Sequence, residues 1–322
     1  MAYKRLSALW KKFERNLDFK EQYTQAIADF IKDGHLERIP SNEVELPDKM
    51  SFYLPHHGVV KPSSATTKLR VVFDAGARSS TQVSLNNLLM IGPDLQQDLF
   101  TILVRWRYWM IPLKCDVKQM YLYILLHPAY RDFLRILWKD SKSGLVKVFR
   151  TKKVPFGIPS APYLAKKTIQ RLAKDEEKNF PRGAEVLRLD FHMDDGMTGV
   201  NSTKAAINLY KELHSITSSG KFLLRKWSSS NPKVLEVIPE ELRATQLTLS
   251  MDNNPAESAL GLQWIPGTYD FKFTVTRCSR DATTKRKILS EIAKVFDPLG
   301  FLSPVTIRAK FLRQKLWKTN TA

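Results

Sequence analysis

The sequence is poor in the residues that define several common protein classes. Only two of its 322 residues are cysteines, Cys115 and Cys278, which excludes a disulfide framework and a cysteine-based zinc cluster. No apolar run approaches the length of about 18 residues that a transmembrane helix needs. The N-terminal residues lead into an amphipathic segment and not into an apolar signal core. We therefore expect an intracellular protein that has no membrane partner.

Acidic residues are also few relative to basic ones. The chain has 32 Asp and Glu against 51 Lys and Arg, so its formal net charge is +19. Residues 1–50 are neutral, whereas residues 271–322 hold twelve basic and three acidic side chains. A positive field of this size favours a polyanionic partner, of which nucleic acid is the most common. The alternative is a basic protein with no such partner.

Hydrophobic periodicity predicts helices and strands in no regular β-α-β order. Apolar and polar residues alternate from Glu185 to Asp194, which predicts a strand that turns at Asp194-Asp195-Gly196 and returns through residues 197–200. Because antiparallel pieces are mixed with helices, the expected fold class is α+β. Helical spacing is found at residues 6–33, 95–106, 203–217, 283–296 and 304–318, and strand patterns at residues 52–60, 68–74, 108–113, 133–138 and 145–149.

Three aspartates lie where predicted strands end. Asp116 follows a hydrophobic strand, and Asp194 and Asp195 lie at the tip of a predicted hairpin. Carboxylates in such places can meet over one sheet, where they would repel one another unless cations bound between them. Mg²⁺ takes oxygen ligands, and two such ions about 4 Å apart can activate a 3′-hydroxyl and stabilise a leaving pyrophosphate. The alternative is that Asp-Asp-Gly forms an ordinary hairpin turn.

A set of short motifs runs in a fixed order through nearly the whole chain. In that order they occupy residues 53–61, 68–75, 84–93, 115–121, 156–162, 191–195, 220–227, 260–264 and 292–304. Cys115-Asp116-Val117-Lys118 resembles a first catalytic motif, and Phe191-His192-Met193-Asp194-Asp195 resembles the motif usually written Tyr-x-Asp-Asp. By their order and spacing the motifs together resemble the reverse transcriptases of BEL/Pao-type LTR retrotransposons.

The resemblance implies a right-hand polymerase, with fingers and a palm that contains an antiparallel sheet, followed by thumb- or connection-like helices. The activity implied is that of an RNA-directed DNA polymerase with two Mg²⁺ ions, for which Mn²⁺ is an alternative. Its partners would be an RNA or DNA template with a primer, and deoxynucleoside triphosphates, in the cytoplasm or in virus-like particles. The implied regions are a helical lead-in at 1–45, fingers at 46–107, a palm with interleaved fingers elements at 108–230, and at 231–322 the palm end, primer-grip-like strands and a basic thumb or connection region.

The resemblance also implies roles for individual residues. Asp116, Asp194 and Asp195 would bind the metal ions, and Lys226 would protonate the pyrophosphate leaving group. The residues expected to contact the nucleotide are Lys68, Arg70, Tyr121, Phe156 and Gly157, with Tyr121 rejecting a 2′-hydroxyl by crowding. The residues expected to contact or position the primer and template are Met193, Leu262 and Trp264. The basic surplus of residues 271–322 adds a prediction of its own, a positive surface that faces the template and primer: Lys285, Arg286, Lys287, Arg308, Lys310 and Arg313.

Three positions depart from the pattern of the family. His192 replaces the usual Tyr, Gly196 stands where relatives carry a large apolar residue, and Leu122 stands where relatives often carry a basic one. These departures make a catalytically decayed remnant that still binds nucleic acid an alternative. An aspartic peptidase is a further alternative, but Asp74-Ala75-Gly76 lacks the hydroxyl that such sites place after the aspartate.

Overall fold

The structure is a computed structural model, and it describes residues 1–44, 51–60, 69–140, 144–244, 257–259, 262–273 and 284–318. Its helices are α1 (Ala2–Arg15), α2 (Leu17–Lys32), α3 (Ser41–Val44), α4 (Leu85–Leu88), α5 (Leu99–Tyr108), α6 (Ala161–Glu176), α7 (Pro181–Leu189), α8 (Thr203–Ser219), α9 (Pro232–Val237), α10 (Lys285–Ala293) and α11 (Ser303–Lys318). Its strands are β1 (Leu36–Arg38), β2 (Tyr53–Leu54), β3 (His56–Val60), β4 (Leu69–Phe73), β5 (Ile111–Val117), β6 (Arg135–Lys139), β7 (Val146–Thr151), β8 (Phe191–His192), β9 (Asp195–Val200), β10 (Leu224–Ser229), β11 (Glu257–Ala259), β12 (Leu262–Ile265) and β13 (Asp270–Lys272).

This mixture of helices and mainly antiparallel strands confirms the α+β class that the sequence predicts. The chain divides into two units. The first unit contains Met1–Leu95 and Gln119–Thr168, and the second contains Gln96–Lys118 and Ile169–Ala322. Within the described ranges, no helix combines the length and the apolar character that crossing a bilayer would require.

The first unit is built on a four-stranded sheet in the order β1-β7-β6-β2, together with the hairpin of β3 and β4. Asn16 separates α1 from α2 and caps α2, since its side-chain oxygen accepts a hydrogen bond of 2.9 Å from the N–H of Phe19. The two helices bury Phe13 and Tyr23, and Tyr23 stacks on Trp138 of β6 at a ring distance of 5.8 Å. Aromatic packing therefore holds the helical lead-in on this unit's sheet.

The second unit contains an antiparallel four-stranded sheet in the order β10-β5-β9-β8. Its core includes Trp106 of α5 and Trp264 of β12, whose rings lie 4.7 Å apart, and Met197 of β9 belongs to the same buried cluster. Every residue of β5 except Asp116 is buried. The last residues of β5 and the first residues of β9 lie at the same end of the sheet. They are consequently positioned by the core of this unit and not by a free loop.

Two expectations about residues 185–200 are wrong. The predicted strand is largely the helix α7, because Pro181 occupies the first helical position and the buried residues Ala184 and Leu187 recur at helical spacing. The turn is also placed one residue too late. His192 pairs with Asp195, so the two-residue loop consists of Met193 and Asp194, and Asp195 already belongs to the returning strand.

Candidate active site

Three aspartates of the second unit lie at one end of its sheet, and we call them the aspartate edge: Asp116, Asp194 and Asp195. Asp116 of β5 pairs directly with Asp195 of β9. The N–H of Val117 donates a hydrogen bond of 2.8 Å to the carbonyl oxygen of Asp194. Because directly opposed residues of antiparallel strands point to the same face, the side chains of Asp116 and Asp195 share one face of the sheet.

Negative charge is crowded at the aspartate edge. The pKa of Asp195 is raised to about 6, first by burial and then by the charges of Asp194 and Asp116, while Lys114 acts in the opposite direction. Burial likewise raises the pKa of Asp194, and the charge of Asp116 adds to the rise. Burial in the first place, and the neighbouring carboxylates in addition, therefore disfavour the ionised forms of Asp194 and Asp195, so a cation bound beside them would be favoured.

Two basic side chains of β10 already contact Asp116. Arg225 Nε donates to Asp116 Oδ1 at 2.9 Å, and Lys226 Nζ donates to Asp116 Oδ2 at 3.1 Å. Successive residues of a regular strand point to opposite faces, but the register shifts between Arg225 and Ser228 and Lys226 has a φ of 52°. This irregularity allows two neighbouring side chains to reach one carboxylate. The sequence gives no sign of the bulge, which explains why it did not predict the contact of Arg225.

The oxygen ligands of the aspartate edge fit the chemistry of Mg²⁺ or Mn²⁺. Within the part of the chain that the structure describes, no three His, Cys, Asp or Glu side chains are gathered closely enough to hold a metal ion. Both carboxylate oxygens of Asp116 are engaged by Arg225 and Lys226. The roles of Asp116, Asp194 and Asp195 as metal ligands stay predictions.

Two of the three departures from the family pattern are explained by packing. A Cβ at Gly196 would lie 2.6 Å from Phe191 Cζ and 2.8 Å from Cys115 Sγ, so the ring and the thiol occupy the space of a larger side chain. Leu122 is buried in the first unit, where an apolar side chain is favoured over a basic one. Neither residue is therefore in itself a sign of decay.

The residues expected to contact the nucleotide belong to the first unit, except that Lys68 lies outside the described residues. Arg70 is exposed on β4. The rings of Tyr121 and Phe156 meet edge to face with centroids 5.0 Å apart. Gly157 has a φ of +100°, and a Cβ there would lie 2.7 Å from a backbone carbonyl oxygen of β4. Only glycine suits that position, and the roles of these residues in nucleotide binding stay predictions.

The expected primer contacts of Leu262 and Trp264 need a correction. Both side chains are buried, with relative exposures of 2% and 0%, in the core that contains Trp106. Side chains buried in a core cannot contact a primer directly. They can influence a primer only through the packing of β12.

The other residues expected to contact primer or template are differently placed. Met193 is the first residue of the hairpin loop and has a φ of 55°, which is uncommon for a residue with a side chain. Lys285, Arg286 and Lys287 form the first turn of α10. The residues of α11 that were expected to extend the positive surface are all exposed: Arg308, Lys310 and Arg313. The described residues of both helices include no buried side chain.

Comparisons with known proteins find one matching family model and several solved structures of similar fold. Residues 284–322 match the family model described as "Pao retrotransposon-like RNaseH-like domain". The structure of the foamy viral protease-reverse transcriptase dRH in complex with ds DNA matches with a TM-score of 0.55 and 16% identity, over 85% of this chain and 39% of that chain. The native prototype foamy virus protease-reverse transcriptase matches with a TM-score of 0.47 and 16% identity, over 66% and 24% of the two chains. No curated protein matches the sequence.

The chain therefore has a mixed α+β fold similar to that of a retroviral reverse transcriptase, and it spans less than two fifths of that matched chain. The match at residues 284–322 confirms the predicted resemblance to a region of a BEL/Pao-type retroelement polyprotein. That segment was expected to be a thumb or connection region, whereas the matching family model is described as RNaseH-like.

Proposed function

We propose that the chain is the RNA-directed DNA polymerase region of a retroelement polyprotein, with the right-hand arrangement of fingers and palm that the sequence predicts. The observation that carries the proposal is the aspartate edge, where Asp116 is paired with Asp195 and lies next to Asp194. The likeness to a foamy viral protein whose structure holds double-stranded DNA supports the same choice of fold. The two motifs are far apart in the sequence, so their meeting at one sheet end supports the proposal.

The three aspartates would hold two Mg²⁺ or Mn²⁺ ions, which supply activation of the primer 3′-hydroxyl and charge stabilisation of the departing pyrophosphate. In the structure Arg225 and Lys226 form ion pairs with Asp116. The side chain of Lys226 is 47% exposed, so it can leave Asp116 at little cost in buried contacts. Once released, its ammonium group would donate a proton to the pyrophosphate.

A polymerase must hold its duplex mainly through phosphates, because it cannot depend on sequence. We propose that the basic residues of α10 and α11 supply that contact. The first turn of α10 has three consecutive basic residues, and α11 adds further exposed ones. The same segment carries much of the positive surplus of the whole chain.

One observation favours a second candidate function, a remnant that binds nucleic acid without catalysis. Asp116 is ion-paired with the side chains of Arg225 and Lys226. In the described ranges, no three potential metal ligands lie close enough together to hold an ion. The remnant would keep the basic surface and the fold. Binding of nucleic acid alone therefore cannot distinguish the two candidates.

Extension of a DNA primer on an RNA template, with Mg²⁺ and deoxynucleotides, distinguishes them. The wild-type protein should extend the primer, and Asp194→Asn should reduce the rate by about 1,000-fold while binding the duplex normally. Asp175→Asn is a matched control, since it removes an exposed carboxylate of the same unit that pairs with Arg171. Duplex binding without any extension by the wild type would favour the remnant, and absence of both would reject both candidates.

A further inference from the structure

The side chain of Gln96 contacts the backbone of the hairpin that carries Asp194 and Asp195. Gln96 Nε2 donates a hydrogen bond of 2.9 Å to the carbonyl oxygen of Phe191. Gln96 Oε1 accepts one of 2.9 Å from the N–H of Met193. A primary amide presents a donor and an acceptor side by side, as the edge of a neighbouring strand does. Gln96 therefore binds residues i and i+2 of the hairpin as a short piece of strand would.

The hairpin needs such a partner because its first strand is short and lies at an edge. β8 has only two residues, and among the strands that the structure describes it lies at the edge of its sheet. The backbone groups on the outer side of an edge strand have no neighbouring strand to pair with. The amide of Gln96 satisfies two of these groups, one on each side of His192.

The bond to Met193 falls on the most constrained residue of the loop. Met193 has a φ of 55°, in the left-handed region that a residue with a side chain rarely adopts. A hydrogen bond to its N–H favours this conformation over competing ones. Asp194 directly follows Met193, so the orientation of the Met193 peptide determines the positions of Asp194 and Asp195.

The segment that contains Gln96 also holds the base of the hairpin. Arg105 of α5 donates to Asp190 Oδ1 at 3.1 Å, and the hydroxyl of Thr198 donates to Asp190 Oδ2 at 2.7 Å. Asp98 caps the start of α5 by accepting from the N–H of Thr101 at 3.0 Å. Residues 96–105 thus contact the hairpin near its loop through Gln96 and at its base through Arg105.

We propose that Gln96 is a positioning residue for the reaction: it fixes the Met193 peptide and thereby holds Asp194 and Asp195 in register with Asp116. This inference rests on the proposed polymerase function for its catalytic consequence. It does not rest on that function for its structural consequence, which is the order of the hairpin loop. The two consequences are measured separately.

The test compares Gln96→Met, which keeps the length of the side chain and removes both hydrogen bonds, with Gln96→Glu, which keeps an acceptor for the N–H of Met193. Gln97→Met is the matched control at the neighbouring position. Amide hydrogen exchange is measured at Met193 and in β5. Gln96→Met should speed exchange at Met193 at least about tenfold without affecting β5, and Gln96→Glu should preserve most of the protection.

Single-nucleotide incorporation gives the second readout. Gln96→Met should lower the rate constant at least about tenfold and leave the KM for the nucleotide within about twofold, because the side chain acts on the aspartates and not on nucleotide binding.

Unchanged exchange at Met193 would overturn the proposal whether or not the wild type polymerises. Faster exchange with an unchanged rate constant would overturn the catalytic consequence. If Gln96→Met also speeds amide exchange in β5, the variant has disturbed the sheet, and Gln96→Glu then provides the test. Slow exchange at Met193 in Gln96→Glu supports the proposal, and fast exchange there contradicts it. Absence of activity in the wild type would reject the polymerase and leave the exchange result valid.

Discussion

Two clusters of charged residues, one in each unit, differ in how their charges are balanced. The arginine cluster of the first unit consists of Glu37, Asp132, Arg135 and Arg150. Arg135 donates to Asp132 at 3.0 Å, and Arg150 donates to both Asp132 and Glu37, at 3.2 and 2.6 Å. Burial alone would raise the pKa of Asp132, but the hydrogen bonds from Arg135 and Arg150 outweigh it and lower that pKa.

The aspartate edge has the opposite character. Burial raises the pKa of Asp194 and of Asp195, and neighbouring carboxylates add to both rises. Among the described residues, Arg225 and Lys226 both pair with Asp116. Charges that are balanced within a fold contribute to its stability, whereas like charges crowded at a sheet end reduce stability and persist where function requires them. The comparison therefore predicts that the arginine cluster stabilises the fold and that the aspartate edge does not, and unfolding experiments can measure this difference.

The largest effect on stability is expected in the arginine cluster. Asp132→Ala should lower the free energy of unfolding by about 3–5 kcal/mol, because it leaves the buried guanidinium of Arg135 without its carboxylate. Urea unfolding checks this value. Asp175→Ala, which breaks an exposed pair with Arg171, should cost less than about 1 kcal/mol. Equal losses of unfolding free energy in Asp132→Ala and Asp175→Ala would contradict the expectation that the buried pair contributes more to stability than the exposed one.

A smaller effect of the opposite sign is expected at the aspartate edge. Asp195→Asn should raise the free energy of unfolding of the metal-free protein at pH 7.5 by about 1–2 kcal/mol, a value discounted for partial exposure. The pKa of Asp195 is about 6 in the fold against an ordinary value of 3.8. The wild type therefore loses stability as the pH rises through this window.

The control for Asp195→Asn is the same comparison at low pH, where the carboxyl group is uncharged. Well below the ordinary pKa of 3.8, at about pH 2.5, the carboxyl group is protonated in both the folded and the unfolded states, so the wild type and the variant should unfold alike. Urea unfolding in the presence of a chelator, at about pH 2.5 and at about pH 7.5, measures the difference. A variant less stable than the wild type at pH 7.5 would show that Asp195 is a stabilising residue and would break the comparison.

The smallest effect is expected on the salt dependence of duplex binding. Reversing the charges at Lys285, Arg286 and Lys287 to Glu should make the slope of log affinity against log salt shallower by about 1–3, since each phosphate contributes about −0.9. A control with the same change in net charge reverses three exposed lysines elsewhere in the unit: Lys204, Lys211 and Lys233. Equal slopes in the two triple variants would mean that α10 does not contact nucleic acid.

The sequence points to the aspartates of the candidate site, but it does not predict the contacts that they make. Asp116, Asp194 and Asp195 are recognisable because each lies in a short motif, and the α+β class follows from local periodicity. The alternation at residues 185–194 was misleading because a short helix that begins at Pro181 buries residues at spacings that also suit a strand. Local patterns of this length cannot separate the two.

Contacts made across the fold were not predictable. Gln96 reaches the hairpin across nearly a hundred residues of sequence, and Arg225 reaches Asp116 only because the register of β10 shifts. Trp264 looked like a primer contact by its motif, yet it packs on Trp106 in the core. Each of these depends on strand register and tertiary packing, which no local pattern encodes.

The most direct test of the central claim measures stability and primer extension together in Asp116→Asn and Asp132→Asn. We predict that Asp116→Asn abolishes extension, by about 1,000-fold or more, and remains as stable as the wild type to within about 1 kcal/mol. Asp132→Asn should lose stability and still extend the primer at the wild-type rate per folded molecule. Extension retained by Asp116→Asn, with a loss of stability like that of Asp132→Asn, would contradict the claim that the aspartate edge is the active site.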